Sequence, residues 1–155
     1  TGTKRNGCRH PSGTFGAAFE AGLSNIPAVA LSQVRGENRS LDFSVTRRHI
    51  GSVFQSLRQS VDHANWRDHV VMNVNFPAED RPQSAIRWVP IQRHPIFTGV
   101  EVDPYATDSM VIRYNYAEIR DGDLDHDVSL LARGDITVTP VLTNWTCHDT
   151  LRKVR

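Results

Sequence analysis

The sequence is poor in cysteine, in net charge and in long hydrophobic runs. Cys8 and Cys147 are its only cysteines. They are too few for a disulfide-dense scaffold, and two unrelated reduced thiols are the default for such a pair. Eighteen basic and 17 acidic side chains leave a formal net charge of +1, so no overall field attracts nucleic acid or an anionic membrane. No run approaches the roughly 18 apolar residues that span a bilayer.

Recognisable metal-ligand spacings are also missing from the sequence. The seven histidines are scattered without an HExxH-type pair, so we expect surface or hydrogen-bonded histidines. The acidic stretch 121–127 resembles a calcium loop, but it lacks the glycine at the sixth position and the glutamate at the twelfth. Trp66, Trp88 and Trp145 do not interleave with basic residues, which disfavours a stacking platform for nucleic acid.

A first helix is predicted by the small residues between positions 15 and 22. Alanine favours a helix, and its small side chain allows close packing on a sheet. Ser12 or Thr14 is expected to cap the start of this helix, and Gly22 with Asn25 is expected to end it.

Buried strands are predicted on both sides of a second helix. The continuous apolar run at 27–32 and the β-branched run at 70–76 both suit strands buried on two faces. Between them, apolar residues recur every three to five positions from 41 to 64, with Asp42 and Ser44 as start signals. Strand–helix–strand alternation indicates a mostly parallel sheet.

The second half of the chain predicts a different set of elements. They are a strand at 85–93, a hairpin pairing 96–102 with 110–119, a short helix at 127–133 closed by Gly134, a strand at 136–141 and a terminal helix at 145–154. We therefore expect an α/β fold, a three-layer Rossmann-like domain whose mostly parallel sheet carries a protruding β-hairpin and a C-terminal helix.

Ser12, Gly13 and Thr14 form the strongest local signal for a binding site. A helix N-terminus offers free backbone N–H groups and the positive end of the helix dipole, which suits a phosphate. The two hydroxyls add donors, and Gly13 lets a ligand approach the backbone. Simple helix capping needs only one of these hydroxyls, so composition alone favours capping over phosphate binding.

Four segments together resemble one known family. Residues 12–22, 26–32, 73–77 and 127–141 resemble, in order, four motifs of the SurE survival-protein family. The second of these matches the strand that follows the Ser-Gly-Thr helix, and the third matches an N-(I/V)-N-x-P element. Each motif is moderately specific, and the four in the right order cover nearly the whole chain after Asn6.

The resemblance implies a metal-dependent phosphomonoester hydrolase acting on nucleoside 5′- and 3′-monophosphates, that is, a nucleotidase or acid phosphatase. By resemblance, Ser12, Gly13 and Thr14 line the phosphate site, and Asn6 is the candidate metal ligand. The implied cofactor is a divalent ion, Mg²⁺ or Mn²⁺, which prefers hard oxygen ligands. The family also implies a cytoplasmic homodimer or homotetramer in which the hairpin and the terminal helix exchange between subunits.

The sequence departs from the family at its start. The aspartate pair that follows the family's first strand, and that chiefly holds the metal, has no counterpart here. Residues 1–155 are therefore expected to represent the later portion of a SurE-like domain. Two alternatives stay open at this point: a non-catalytic SurE-like module for assembly or phosphate binding, and an unrelated α/β domain whose Ser-Gly-Thr turn is only a cap.

Overall fold

A computed structural model describes residues 13–35, 42–61, 66, 69–91, 97–103, 111–116 and 126–144. The helices and strands run in the order α1 (Gly13–Leu23), β1 (Ala28–Gln33), α2 (Ser44–Ser60), β2 (Val70–Phe76), β3 (Ile86–Trp88), β4 (Phe97–Asp103), β5 (Val111–Tyr116), α3 (Asp127–Ala132) and β6 (Ile136–Leu142). The elements predicted from the sequence that lie within these residues are present. The bounds of β2 match the prediction, whereas those of the other elements differ.

Four strands form one sheet in the order β1-β2-β6-β3. β1 pairs with β2 in parallel and β3 pairs with β6 in parallel, while β2 and β6 are antiparallel. Two of the three pairings are parallel, so the expected mostly parallel sheet is confirmed. The carboxyl ends of β1 and β2 lie side by side at one edge, where ligands of open α/β sheets commonly bind.

Helices cover both faces of this sheet and make three layers. Alternate residues of β2 point to opposite faces. Val71 packs with Ala30 of β1 and Ala18 of α1. Phe76, with Met72 and Val74, packs instead against Leu57 and the other buried residues of α2. We call these sides the α1 face and the α2 face.

The C-terminal end of α1 is closed by Asn25 rather than by glycine. Asn25 has a φ of 57°, and the N–H groups of Asn25 and Ile26 donate to the carbonyls of Gly22 and Ala21 at 3.0 and 2.9 Å. This is a Schellman-type end, in which asparagine tolerates the left-handed conformation. Gly22 lies inside the last turn and is buried. Its expected part in ending the helix therefore belongs to Asn25.

α2 is shorter than the pattern predicted, since it ends at Ser60. Asp42 provides a hydrogen-bond acceptor for the first residue of α2, Ser44. The Asp42 carboxylate accepts from the Ser44 backbone N–H at 2.9 Å and from the Ser44 hydroxyl at 3.0 Å. Val61 is already extended, with φ −113° and ψ 115°. Phe54, one of the apolar residues that recur along this predicted helix, is 42% exposed, because it points away from the stripe that reaches the sheet.

β1 is less buried than a strand covered on both faces, and only Ala30 is fully buried. Within the described residues it has a hydrogen-bonded neighbour on the β2 side alone.

β4 and β5 form a separate antiparallel hairpin, as predicted. The expected exchange of this hairpin between subunits stays a prediction. The predicted C-terminal helix, Cys8 and Cys147 lie outside the described residues. Among the described residues, no helix combines the length and apolar character that a bilayer crossing requires.

Candidate functional site

The start of α1 lies at the carboxyl edge of β1 and β2. Its last turn is fixed at the opposite edge, because Nδ1 of His69, just before β2, lies 3.1 Å from the carbonyl oxygen of Gly22. From Gly22 back to Gly13 a helix rises about 13 Å, and from Val71 to Asn75 a strand rises about the same distance. Gly13 therefore lies near the level of Asn75.

A row of polar side chains crosses the α1 face at this level. Ser32 of β1 pairs with Asn75 of β2, and Asn75 pairs with Thr137 of β6. Residues that pair across neighbouring strands point to the same face, and this face is the one that carries Val71. Ser32 and Asn75 are half-buried, whereas Thr137 is 0% exposed. We call Ser32, Asn75 and Thr137 the polar row.

The predicted phosphate-binding residues are placed only in part. Gly13 is the first residue of α1 and Thr14 the second, and both are exposed. Thr14 is therefore part of the first turn and not the cap that composition alone allowed. Among the described residues, a Cβ added at Gly13 would meet no heavy atom within 4 Å beyond its own helix, so these residues leave the backbone accessible to a ligand. Ser12 and Asn6 lie outside the described residues.

A polar cavity opens on the α2 face of the same edge. Its volume is about 340 Å³, and its lining includes Gln33, Ser44 and Arg48 together with the acidic side chains of Asp42, Glu79 and Asp80. Three carboxylates against one guanidinium disfavour a phosphate in this cavity. The α1 face, with the positive end of a helix dipole, is the better place for an anion.

The cavity wall is held by a network of hydrogen bonds. Gln33 Oε1 accepts from the Thr46 hydroxyl at 2.6 Å, and Gln33 Nε2 donates to the carbonyl of Asp42. Asp80 joins the loop after β2 to α2, because its carboxylate oxygens lie 2.7 Å from Arg48 Nη2 and 2.7 Å from His49 Nε2. His49 and His69 are both hydrogen-bonded, as expected for these histidines.

These contacts make the stability of the cavity wall depend on pH. The hydrogen bond from His49, and then the charge of Arg48, hold the pKa of Asp80 below its ordinary value of 3.8. A carboxylate with a lowered folded-state pKa stabilises the fold above the ordinary pKa, and this contribution disappears as pH falls through the lowered pKa. In the variant Asp80→Asn, the melting temperature should therefore decrease less between neutral pH and pH values below about 4 than in the unaltered protein. Thermal unfolding at a series of pH values measures this difference.

The matched control for this prediction is Glu79→Gln. Glu79 lines the same cavity and is more exposed than Asp80, and it forms no ion pair among the described residues. For Glu79→Gln, the slope of melting temperature against pH should be the same as in the unaltered protein. Equal slopes for Asp80→Asn and the unaltered protein would contradict the prediction.

The described residues do not by themselves fit a divalent metal ion. No group of three or more His, Cys, Asp or Glu side chains among them could hold one. Near the start of α1 they offer the neutral oxygens of Thr14, Ser32 and Asn75, whereas hard divalent cations are usually held with carboxylates. No chemical step is therefore assigned to a metal from these residues.

Sequence reasoning missed the polar row and the cavity wall. The sequence marks Asn75 only as part of a motif, and its patterns predict Ser32 and Thr137 only as strand residues. The alternation along 70–76 contained a usable signal, because Asn73 and Asn75 share a face with period two. No comparable signal joined Gln33, Asp80 and His49, since a strand end, a loop and a helix that are distant in sequence meet there.

Comparisons with known proteins place this chain in a family. The family model described as survival protein SurE matches residues 6–96. The 5′-nucleotidase SurE of Methanopyrus kandleri is 33% identical over 148 residues, covering 87% of this chain and 52% of that protein. The 5′-nucleotidase SurE of Wolbachia pipientis wMel is 27% identical over 144 residues, covering 93% of this chain and 53% of that protein.

A solved structure shares the fold. The crystal structure of the SurE protein from Aquifex aeolicus superposes with a TM-score of 0.65 at 20% identity, covering 92% of this chain and 56% of that chain. The chain thus spans about half the length of the relatives it matches. The family match over residues 6–96, together with the layered α/β fold, shows that this chain belongs to the SurE survival-protein family.

Proposed function

We propose that this protein is a phosphomonoester hydrolase that acts on nucleoside 5′- and 3′-monophosphates. The observation that carries the proposal is the exposed start of α1 at the carboxyl edge of the parallel pair β1-β2. Relatives named 5′-nucleotidase at 27–33% identity support a nucleotidase. The 3′ activity and the acid phosphatase activity are the finer parts of this proposal.

The first turn of α1 supplies the donors for a phosphate. The first N–H groups of a helix have no partner inside the helix, and Gly13 and Thr14 hold two of these positions. The Thr14 hydroxyl adds a side-chain donor on the exposed surface. An anion here gains both these hydrogen bonds and the favourable end of the helix dipole.

Such donors favour hydrolysis as well as binding. When water attacks phosphorus and the bond to the nucleoside oxygen breaks, negative charge is spread over the equatorial phosphoryl oxygens. Donors already directed at these oxygens stabilise that charge without reorganising. The leaving oxygen takes a proton, and the products are a nucleoside and inorganic phosphate. The groups that activate water are not assigned to any described residue.

We propose further that the reaction needs Mg²⁺ or Mn²⁺. The described residues do not form a ligand set, so its ligands would come from outside them, with Asn6 as the candidate. When bound, the ion would polarise a phosphoryl oxygen. The resemblance to the SurE family implies this requirement.

The test of the site is Thr14→Ala, with Thr14→Ser as the matched control. Loss of a hydrogen bond to a charged group costs about 1.5 kcal/mol or more. Hydrolysis of a nucleoside monophosphate in the presence of Mn²⁺ should therefore fall roughly tenfold in kcat/KM. The Ser variant, which keeps the hydroxyl, should stay near the unaltered rate. Unchanged kinetics in the Ala variant would remove Thr14 from the site.

The non-catalytic alternative predicts a different pattern. No group of three or more His, Cys, Asp or Glu side chains among the described residues could hold a metal ion, and this observation favours the non-catalytic alternative. A protein that binds inorganic phosphate through Thr14 and yet stays inert with every divalent metal would be a phosphate-binding module. If it neither binds phosphate nor hydrolyses a phosphate ester, both interpretations of the α1 start are wrong.

A further inference from the structure

Thr137 carries a buried hydroxyl that nothing in the described structure satisfies. Its side chain is 0% exposed, and its Oγ1 atom has no hydrogen-bond partner among the residues that the structure describes. Burying a hydroxyl without a hydrogen bond destabilises a protein, whereas valine has nearly the same shape without that penalty. A threonine at position 137 is therefore explained if its hydroxyl forms a hydrogen bond when a ligand is bound.

Thr139 shows that the lack of a hydrogen-bond partner is specific to position 137 and is not shared by every buried threonine of β6. It lies two residues further along β6 and points to the same face, and it is also buried, at 3% exposed. Its hydroxyl, however, donates to the carbonyl of Val89 at 2.8 Å. One strand thus carries two buried threonines on one face, and one of them is satisfied while the other is not.

The cross-strand neighbour of Thr137 is Asn75. The Cβ atoms of such a pair lie about 4.5–5.5 Å apart, so a rotation of the Asn75 side chain brings its amide within hydrogen-bonding reach of the Thr137 hydroxyl. Asn75 is half-buried and lies near the level of the first turn of α1. Thr137 is too buried to touch a ligand itself, but Asn75 is not.

We propose that Asn75 is a further phosphate-binding residue and that Thr137 positions it. This proposal rests on the proposed function. When phosphate is bound, the Thr137 hydroxyl donates to Asn75 Oδ1. This bond turns the Nδ2 amide group of Asn75 towards the first turn of α1, where it donates to a phosphoryl oxygen. If the Asn75 amide group were turned the other way, its Oδ1 atom would face the phosphate. That partly negative oxygen would repel the anion, although the N-terminus of α1 attracts it.

The proposal predicts opposite effects for the two threonines. Thr137→Val should leave the melting temperature unchanged or raise it by about 2 °C. The same variant should weaken the binding of inorganic phosphate about fivefold. Thr139→Val should lower the melting temperature, because it leaves the Val89 carbonyl without its donor, and should leave phosphate affinity unchanged. If the Thr137 hydroxyl had only a structural role, its removal could not weaken phosphate binding while leaving the melting temperature unchanged.

The experiment is a titration with inorganic phosphate, by calorimetry, of the protein and of four variants. These are Thr137→Val, Thr137→Ser, Thr139→Val and Asn75→Asp, each also followed by thermal unfolding. Thr137→Ser keeps the hydroxyl and should bind like the unaltered protein. Asn75→Asp removes the donor and adds a negative charge, so its affinity should fall more than about tenfold.

The variant Thr14→Ala separates this proposal from the one on which it rests. If Thr14→Ala weakens phosphate binding while Thr137→Val and Asn75→Asp do not, only the roles of Asn75 and Thr137 are wrong. If the unaltered protein binds no phosphate, the proposed function fails and takes this inference with it. Equal losses of affinity in Thr137→Val and Thr139→Val would also overturn the proposal, because the effect would then follow packing and not the unsatisfied hydroxyl.

Discussion

Replacing Phe76 with alanine should lower the free energy of unfolding by about 3–5 kcal/mol. Phe76 is the last residue of β2 and is 0% exposed. It packs in the cluster that joins the sheet to α2, beside Val53 and Leu57. Removing the ring loses its transfer free energy and leaves a cavity, because strands on one side and a helix on the other cannot close the gap.

Urea denaturation of Phe76→Ala beside Phe54→Ala tests this prediction. Phe54 is the matched control, since it has the same side chain and lies on α2 but is 42% exposed. Its replacement should cost less than about 1 kcal/mol. The midpoint should shift strongly for Phe76→Ala at an unchanged slope, because the slope reports the surface exposed on unfolding. Similar shifts for both variants would mean that the α2 face is not the core.

Gly22→Ala should destabilise the protein by about 2–3 kcal/mol, even though alanine favours helices over glycine. A Cβ at Gly22 would lie 2.6 Å from Val71 Cγ2 and 2.8 Å from Thr143 Cγ2. Neither neighbour can move easily. Val71 is buried in the sheet, and the Thr143 hydroxyl donates to the carbonyl of His69 at 3.1 Å. The close approach of α1 to the sheet therefore requires glycine here.

Gly51→Ala is the control for the close approach. Gly51 lies in α2 and is exposed, and among the described residues no heavy atom outside its own helix lies within 4 Å of the place where a Cβ would lie. This replacement should stabilise the protein by about 0.5–1 kcal/mol, since only the helix preference acts there. Opposite signs for two Gly→Ala changes in helices, read from chemical denaturation, would confirm the steric argument. A stabilised Gly22→Ala variant would contradict it.

Much of the fold could be predicted because its signals are local. The β-branched run at 70–76 matches β2 residue for residue, and Gly134, with a φ of 92°, closes the helix that ends at Ala132, as its place in the sequence suggested. The family resemblance was also readable, because the motifs at 12–22 and 73–77 keep their order. Errors occurred where packing decides, as for Phe54, or where a helix end depends on the next element, as at Val61.

The candidate site was predictable only in part. The sequence pointed to the helix start at Gly13 and Thr14, because donors and small residues at a helix N-terminus are a local pattern. It could not bring Asn75 beside Thr137, which lie far apart in the chain and meet only through strand register. Nor could it distinguish Thr137 from Thr139, since two threonines on one strand and one face differ only in what their hydroxyls can reach.

By itself, the sequence determined the class of the fold, the family and one end of the proposed phosphate site, since these depend on composition, periodicity and short motifs. Only the tertiary structure decided which glycine is irreplaceable, which carboxylates are already paired and which buried hydroxyls lack a partner among the described residues. The physical reason is that hydrogen bonds and steric contacts act over a few ångströms in space. Strand pairing and helix packing set those distances, and no local stretch of sequence encodes them.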